Sequence, residues 1–335
     1  MTPNNDERLE GWRGLIDRSL DTAIVPGFGR LGPLLRRRLS DWEAALAAAG
    51  RKIVITGATS GLGLAAAQQL ASAGASLVLV GRSEQKLVEA HKLVSSYAGG
   101  GEVETMHCDM GDLDQVHTLA SQLKAAGPLD VLIHNAGALD ADYQLAPQGH
   151  ELTITVHLIA PYLLTELLRP ALTAAKAPRV ITVTSGGMYS EAFNLKKLEM
   201  RPDSYRGTVA YARAKRAQVV LTKAWQQRAG TSMDFHLMHP GWADSPGMER
   251  ALPTFHRLLG WNNRSTDEGA DTITWLAGRP DHEPRSGQLW LDRQARPIFK
   301  IPKTKVSDAE LAKQGEALMA WLAELSGQVS PPFAN

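Results

Sequence analysis

Cysteine is nearly absent from this chain of 335 residues, because Cys108 is its only one. A single thiol excludes an intrachain disulfide, which fits a protein of a reducing compartment. The chain also lacks an excess of charge of one sign, since 36 basic residues face 35 acidic ones and the net charge is +1. Without a strong positive field, we expect no nucleic-acid partner.

Segments typical of export or membrane insertion are also missing from the sequence. The first ten residues are polar and include three acids, whereas a secretory signal has a basic start followed by an apolar stretch. We find no apolar run of the length that a membrane-spanning helix needs. We therefore expect a cytoplasmic protein with no integral membrane segment, and none of its motifs predicts a metal site.

Short apolar runs alternate with longer helical stretches from Arg51 onward, which predicts a parallel sheet covered by helices on both faces. The predicted fold is α/β: a single Rossmann-type, doubly wound domain over residues 50–299 with a seven-stranded, mostly parallel sheet. The seventh strand is expected at an edge. The predicted strands are 52–56, 77–80, 103–107, 131–134, 180–184, 235–239 and 288–291.

Two segments flank this domain. Residues 1–49 hold seven basic and seven acidic residues, and the prolines and glycines between 26 and 33 interrupt any helix there. We favour an extension that clasps the domain, and the alternative is an amphipathic surface in peripheral contact with a membrane or a partner chain. In the tail, residues 300–335, Ser307 and Glu310 have capping-box spacing. An apolar stripe follows, which predicts an amphipathic helix docked on the core.

A glycine-rich turn, TGATSGLG over residues 56–63, joins the first strand to the helix that follows it. Glycines let such a turn approach a pyrophosphate and let the helix pack close to the strand. The helix start adds unpaired N–H groups and partial positive charge. The turn therefore predicts a dinucleotide site that includes Gly57, Thr59, Ser60, Gly61, Leu62 and Gly63.

This turn resembles the TGxxxGxG motif of short-chain dehydrogenases/reductases, and further motifs of that family follow in order over residues 51–296. Residues 135–137 resemble the family's NNAG, with His134 in place of the first Asn. Ser185 ends the fifth strand, and Tyr211 with Lys215 matches YxxxK. The resemblance implies an oxidoreductase whose cofactor also contacts Asp109, Met110, Asn135, Ala136, Gly137, Tyr211, Lys215, Pro240, Gly241, Trp242 and Ser245.

Three residues are candidates for the proton chemistry of carbonyl reduction, in which the cofactor carries the hydride and the protein supplies the proton. Tyr211 and Lys215 lie four apart on a predicted helix and so share one face. We expect the ammonium to lower the pKa of the phenol. Ser185 lies at the carboxyl end of a strand, where parallel sheets bind ligands, and it can bind the substrate oxygen. The resemblance implies that Lys215 also holds the nicotinamide ribose.

His157 is a departure from the family pattern, because it occupies the position of an Asn that holds a water in the proton relay from the lysine. We hypothesise that the imidazole takes over this role and titrates in the working pH range. Activity would then show an acid limb that depends on His157. A degraded relay is the alternative, and it leaves open a catalytically weak NADP-binding sensor or scaffold.

The end of the second predicted strand indicates the preferred dinucleotide. An acid at this place binds the ribose hydroxyl of NAD, whereas an arginine accommodates the 2′-phosphate of NADP. Here the strand leads into Arg82 and Ser83 with no acid at its tip. The planar guanidinium fork is suited to phosphate, so NADP(H) is favoured over NAD(H).

The substrate side is the least defined part of the sequence. The long segment 186–209 resembles the retinol-dehydrogenase-like branch of the family. A subgroup within that branch, known as the member 12-like dehydrogenases/reductases, is resembled by residues 239–247, 268–271 and 291–293. Segment 247–261 is apolar and is a candidate lid, which predicts a hydrophobic carbonyl or alcohol substrate; a surface hairpin is the alternative. An isomerase or epimerase on the same fold also stays open, as does the oligomeric state.

Overall fold

The computed structural model describes residues 9, 11–39, 42, 48–244, 260–280 and 286–328. The predicted alternation of strands and helices is present. The strands are Lys52–Thr56 (β1), Ser76–Gly81 (β2), Val103–His107 (β3), Val131–His134 (β4), Arg179–Val183 (β5), Asp234–Met238 (β6), Leu289–Leu291 (β7) and Gln294–Arg296 (β8).

Helices precede, separate and follow these strands. A π-helical turn, Thr155–Ile159, joins the helices Leu152–Ile154 and Ala160–Thr173 into one continuous helical segment. The helices are Gly11–Thr22 (α1), Ile24–Phe28 (α2), Leu31–Leu39 (α3), Gly61–Ser72 (α4), Glu84–Ser95 (α5), Leu113–Ala125 (α6), Leu152–Ile154 (α7), Ala160–Thr173 (α8), Gly207–Ala229 (α9), Thr266–Gly278 (α10) and Asp308–Ser326 (α11).

The sheet has the strand order β3-β2-β1-β4-β5-β6-β7-β8. Strands β1 to β7 are parallel, and β8 is antiparallel to β7. The chain builds outward from β1 to β3 and then returns to place β4 on the other side of β1. Such a switch point opens a crevice at the carboxyl ends of the strands, where doubly wound sheets bind ligands.

The predicted Rossmann-type fold is confirmed, but the predicted count of seven strands is wrong, because the described sheet has eight. The extra strand follows a two-residue turn made by Asp292 and Arg293, which have φ values of 53° and 57°. Turns of this kind usually contain Gly or Asn, so the sequence Asp-Arg gave no hairpin signal. Strand β7 is therefore internal rather than at the edge.

Apolar side chains fill the space between the sheet and a helical layer on each face. Helices α4, α5 and α10 cover one face, and α6, α8, α9 and α11 cover the other. Helix α11 is the predicted tail helix: Ser307 caps it by accepting from the Glu310 N–H at 3.2 Å. Its buried Leu318 and Leu322 join the core, which confirms the predicted docking.

The segment Leu152–Thr173 is long and apolar enough to cross a membrane by length and composition alone. This contradicts the expectation that no apolar run reaches that length. In the fold, 89% of its apolar window is buried, with α6 beside it and the sheet beneath it. The core helix of a globular domain has the same composition for this reason.

The N-terminal helices α1 to α3 are held to the domain by a buried cluster of charges. Asp17 of α1 accepts from Arg36 of α3 at 2.7 Å and from Arg296 of β8 at 2.7 and 2.8 Å. Asp292 accepts from Arg36 at 2.5 Å and from Arg264 at 2.5 and 3.0 Å. The two carboxylates thus alternate with three guanidiniums, which supports the clasp interpretation of the extension.

Ionisation of Asp292 is maintained by its neighbours despite complete burial. Burial by itself raises the pKa of this carboxyl, but the Arg264 and Arg36 guanidiniums outweigh it and hold the pKa below the usual value. At pH values above the unfolded-state pKa of about 3.9, such a carboxylate stabilises the folded protein. This stabilisation is lost as the pH falls through the lower folded-state pKa.

We predict that Asp292→Asn lowers the free energy of unfolding by about 3–5 kcal/mol at neutral pH, because buried Arg264 loses its paired carboxylate and buried Arg36 loses one of its two. Denaturant unfolding followed by circular dichroism measures this change. Exposed Asp203→Asn is the matched control and should change little. The gap between wild type and Asp292→Asn should close only below about pH 4; a gap that closes near neutral pH contradicts the assignment.

Candidate active site

A cavity of about 620 Å³ lies at the carboxyl ends of β1 to β6. Almost all of the predicted site residues line it, although they come from widely separated parts of the chain. The predicted residues on its wall are Gly57, Thr59, Ser60, Gly61, Leu62, Arg82, Ser83, Asp109, Met110, Asn135, Ala136, Gly137, His157, Ser185, Tyr211, Lys215, Pro240, Gly241 and Trp242.

The glycine-rich turn has the geometry that its sequence predicts. Gly57 and Gly61 have φ values of 67° and 54°, a left-handed conformation that costs glycine little. Gly63 is absent from the cavity wall and has a packing role, because a Cβ there would lie 2.3 Å from the Gly57 carbonyl oxygen. The turn therefore places the α4 N-terminus at the cavity, where a helix start favours phosphate.

Two polar side chains bind this turn to the loop after β4. The Thr56 hydroxyl accepts from the backbone N–H groups of Asn135 and Ala136, both at 3.1 Å. The Asn135 amide donates back to the carbonyls of Thr56 and Gly57 at 2.9 and 3.1 Å. Asn135 was predicted as a cofactor contact, and its amide group supports the turn that forms the cradle.

The far end of the cavity carries positive charge beyond the tip of β2. Arg82 is exposed there, and no acid follows it in the turn before α5. The Ser83 hydroxyl accepts from the Lys86 N–H at 3.4 Å and caps α5. Lys86 also lines this end of the cavity and was not predicted from the sequence. The signal that could have found it is its place in the first turn of the helix that Ser83 caps, four residues after Arg82.

The reacting end of the cavity holds Ser185, Tyr211 and Lys215. Ser185 and Tyr211 flank Gly187, since a Cβ there would lie 3.7 Å from the Ser185 Oγ and 4.0 Å from the Tyr211 Cε1. The Lys215 ammonium lies 5.4 Å from the centre of the Tyr211 ring and donates to the Val183 carbonyl at 2.8 Å. Strand β5 and helix α9 are tied together here, because the Thr184 hydroxyl donates to the Lys215 carbonyl at 3.0 Å.

Burial controls the ionisation of the Tyr211 and Lys215 pair. It raises the pKa of the Tyr211 phenol, and the neighbouring Ser185 hydroxyl only partly offsets this. It also lowers the pKa of the Lys215 ammonium to about 7. The net shift of the Tyr211 pKa is therefore upward and not downward as expected, because burial is the dominant effect and the phenol stays protonated at neutral pH.

His157 lies in the π-helical turn, which brings its ring to the cavity wall. Its Nε2 is 2.8 Å from the Ala138 carbonyl oxygen, and its ring meets the Tyr211 ring edge-on at 5.3 Å. Gly137 passes so close that a Cβ there would lie 2.8 Å from the imidazole Cε1. The ring thus holds the loop after β4 against Tyr211.

Burial of His157 opposes its titration near neutral pH. Burial, with the Lys215 charge as a smaller contribution, lowers the pKa of the imidazole to about 3. The hypothesis of an acid limb from His157 is therefore wrong. Nε2 lies against both the Ala138 carbonyl oxygen, at 2.8 Å, and the Ala138 N–H, at 3.3 Å. Nδ1 is buried without a hydrogen-bond partner in the described structure.

The N-terminal extension reaches the site, which the sequence did not reveal. The Phe28 carbonyl accepts from the Trp242 N–H at 2.8 Å and from Arg264 at 2.8 Å. The Phe28 ring packs on His239 and Trp242 at 4.7 and 6.1 Å and fills the space above Gly186. Residues 27–29 thereby fix the loop that carries Pro240, Gly241 and Trp242.

Two sequence predictions on the substrate side fall outside the described residues: Ser245, and the proposed lid 247–261 except for its last two residues. In the segment 186–209, Met188 and Tyr189 are buried in the core, and the Tyr189 hydroxyl donates to the Pro297 carbonyl at 2.9 Å. The same segment supplies Gly187, Ser190 and Thr208 to the cavity wall, and Leu139 and Val156 come from elsewhere; none of these five residues was singled out from the sequence.

We predict that the His157 imidazole does not titrate between about pH 5 and pH 8, since burial keeps it neutral. Nuclear magnetic resonance of the ring signals measures this, and the spectrum of His157→Asn assigns them. Free histidine in the same buffers is the control and titrates near pH 6.5. A midpoint for His157 close to that of the free amino acid contradicts the neutral, buried ring.

Comparison with known proteins agrees with this geometry. The family model for short chain dehydrogenases matches residues 51–254. Dehydrogenase/reductase SDR family member 12 of Bos taurus is 35% identical over 271 residues, covering 80% of this chain and 85% of that protein. Polyprenol dehydrogenase of Mus musculus is 31% identical, and the match covers 80% of this chain and 84% of that protein. Retinol dehydrogenase 14 of Mus musculus is also 31% identical, and the match covers 72% of this chain and 78% of that protein.

Solved structures share the fold. An uncharacterized protein from Mycobacterium paratuberculosis has a TM-score of 0.68 at 27% identity, covering 87% of this chain and 98% of that one. A protein described as an NAD(P) dependent gluconate 5-dehydrogenase from Beutenbergia cavernae, with bound NADP, has a TM-score of 0.60 at 25% identity, covering 73% and 96%. The chain therefore belongs to the short-chain dehydrogenase/reductase family, in its retinol-dehydrogenase-like branch.

Proposed function

We propose that the protein is an NADP(H)-dependent oxidoreductase that interconverts a hydrophobic carbonyl compound and its alcohol. The observation that carries this proposal is the convergence of Ser185, Tyr211 and Lys215 in the same cavity as the glycine-rich turn. A cofactor cradle and a proton donor are the two parts that carbonyl reduction requires. The complete set favours an enzyme over a sensor that only binds NADP.

The residues present fit a nicotinamide dinucleotide. The turn around Gly57 leaves so little room that a Cβ there would lie 2.8 Å from the Ala136 Cα, so backbone alone forms the cradle. When bound, the cofactor supplies or accepts the hydride. Gly61 and the α4 N-terminus would hold its pyrophosphate, and Lys215 would bind its nicotinamide ribose.

Tyr211 is the proposed general acid for reduction. Its raised pKa keeps Oη protonated at neutral pH, so the phenol donates its proton to the carbonyl oxygen as negative charge develops there. Ser185 donates a second hydrogen bond to the same oxygen. The Lys215 ammonium stabilises the phenolate left behind, and its pKa of about 7 lets it hold a proton near neutrality.

The preference for NADP(H) is supported by the cations at the far end of the cavity. Arg82 and Lys86 both line it next to the tip of β2, and Thr59 faces them from the turn. Two cations with no acid at the tip of β2 suit a 2′-phosphate and leave the free ribose hydroxyls of NAD without the acidic partner usual at that place. The Beutenbergia cavernae neighbour was solved with NADP.

A hydrophobic substrate is supported by the wall beside the reacting groups, where Leu139, Val156 and Trp242 supply apolar surface. Apolar walls with a few placed polar groups are typical of sites for small hydrophobic ligands. Relatives are named for retinol and polyprenol, which are both hydrophobic alcohols.

We predict that Tyr211→Phe lowers kcat for NADPH-dependent aldehyde reduction about 10²- to 10⁴-fold, because the ring stays and the proton donor is lost. The Kd for NADPH, measured by fluorescence titration, should hardly change. NADPH absorbance with a panel of hydrophobic aldehydes and ketones identifies the assay substrate. Tyr97→Phe, at an exposed tyrosine outside the cavity, is the control.

Either of two results contradicts this proposal. Wild-type turnover that survives Tyr211→Phe would show that another group supplies the proton. Tight NADPH binding with no consumption for any compound in the panel would favour the sensor.

We predict that Arg82→Ala raises KM for NADPH about 10- to 100-fold, which corresponds to the loss of one charge-assisted hydrogen bond. KM for NADH should stay nearly the same, because that cofactor has no 2′-phosphate. Steady-state kinetics with both cofactors measures the split, and Arg201→Ala, an exposed arginine outside the cavity, is the control. Equal effects on the two cofactors would contradict the assigned role.

A further inference from the structure

The N-terminal helices carry apolar side chains on the side that faces solvent. We define this outer face by Trp12, Leu15 and Ile16 of α1 and Leu31, Leu34 and Leu35 of α3. Trp12 and Leu15 are 63% and 61% exposed, and the other four are at least 36% exposed. More than half of the exposed large apolar side chains in the described part of the chain lie on α1 to α3.

An ordinary surface helix turns its apolar side inward, whereas these helices also expose large apolar side chains to solvent. Their inner side carries Gly14, Gly27 and Gly32, the paired charges of Asp17 and Arg36, and the buried apolar side chains of Leu20, Phe28 and Leu39. The charge cluster and close backbone packing dock the extension, so its exposed apolar side chains are not used for that purpose. Contiguous apolar surface of this kind marks an interaction site.

The charges on the outer face have one sign. The exposed ionisable side chains between residues 11 and 39, all described by the structure, are five arginines: Arg13, Arg18, Arg30, Arg37 and Arg38. No acidic side chain in that range is exposed, because Asp17 is buried and Asp21 is mostly buried and paired with Lys300 at 2.7 Å.

We propose that this outer face binds the surface of an anionic lipid bilayer. Apolar side chains that enter the interface, combined with arginines at headgroup level, are the two features that peripheral binding requires. Pairing of two copies through the same face is disfavoured, because a symmetric contact would set arginines against arginines. The face fits lipid, which supplies acyl chains and phosphate together.

The segment that joins α2 to α3, between the helices of the outer face, lies next to the cavity. The carbonyl of Phe28, at the end of α2, accepts a hydrogen bond from the Trp242 N–H of the cavity wall. The Arg30 N–H donates to the Asn262 carbonyl at 2.7 Å, and the adjacent Trp261 is 74% exposed. If the proposed function holds, a bilayer on this face lies beside the site that receives a hydrophobic substrate.

Co-sedimentation with vesicles tests the proposal without depending on catalysis. We expect the full chain to bind phosphatidylcholine vesicles that contain phosphatidylglycerol, and to bind pure phosphatidylcholine weakly. Added salt should weaken the binding because it screens the arginines. Two triple variants remove the two features separately: Trp12→Ser with Leu15→Ser and Leu34→Ser, and Arg18→Gln with Arg30→Gln and Arg38→Gln.

The arginine variant should weaken binding about fivefold per charge removed, and the apolar variant should release the protein from vesicles even at low salt. Matched controls change exposed residues elsewhere and should bind like wild type. They are Val88→Ser with Leu93→Ser and Tyr97→Ser, and Lys92→Gln with Lys124→Gln and Lys196→Gln. Circular dichroism and NADPH titration establish that every variant is folded.

Three results would overturn the proposal: no binding to either vesicle, binding that both triple variants retain, or a dimer in light scattering that only the apolar variant dissociates. The last result would assign the face to a second copy of the chain. Failure of the proposed function is separate, because it shows as absent aldehyde turnover while vesicle binding persists.

Discussion

The carboxylate of Asp292, bound between Arg264 and Arg36, is the interaction on which the architecture around the site depends. It belongs to the turn that reverses the chain into β8, and its two partners come from the segment before α10 and from α3. Arg264 also bonds the carbonyls of Gly27 and Phe28. One buried charge therefore joins the edge of the sheet, the N-terminal extension and the wall of the cavity.

Much of the fold and site was predictable because their determinants are local. The run KIVIT followed by TGATSGLG gives a strand, a turn and a helix start within a dozen residues, and Tyr211 with Lys215 needs only one helix. The extension and β8 were not predictable in this way. Phe28 reaches Trp242 through more than two hundred residues of chain, and the Asp292–Arg293 turn is stabilised by ion pairs with distant residues.

His157 illustrates the limit of inference from residue type. An imidazole in a proton relay suggests titration near neutrality, but its chemistry depends on solvation, and only the fold shows that this ring is buried between Gly137 and Tyr211. The same principle applies to Tyr211 and Lys215, whose i, i+4 spacing indicates a shared helix face and gives no measure of the burial that sets their pKa values.

Helix α11 crosses the outside of α9, and its Gly315 lies so close that a Cβ there would be 2.8 Å from the Cβ of Ala224. It also contacts α8. The chain's own terminal helix thus occupies the flat face that α8 and α9 form on this side of the sheet. A subunit contact that used the part of α9 under α11 would require α11 to move away first.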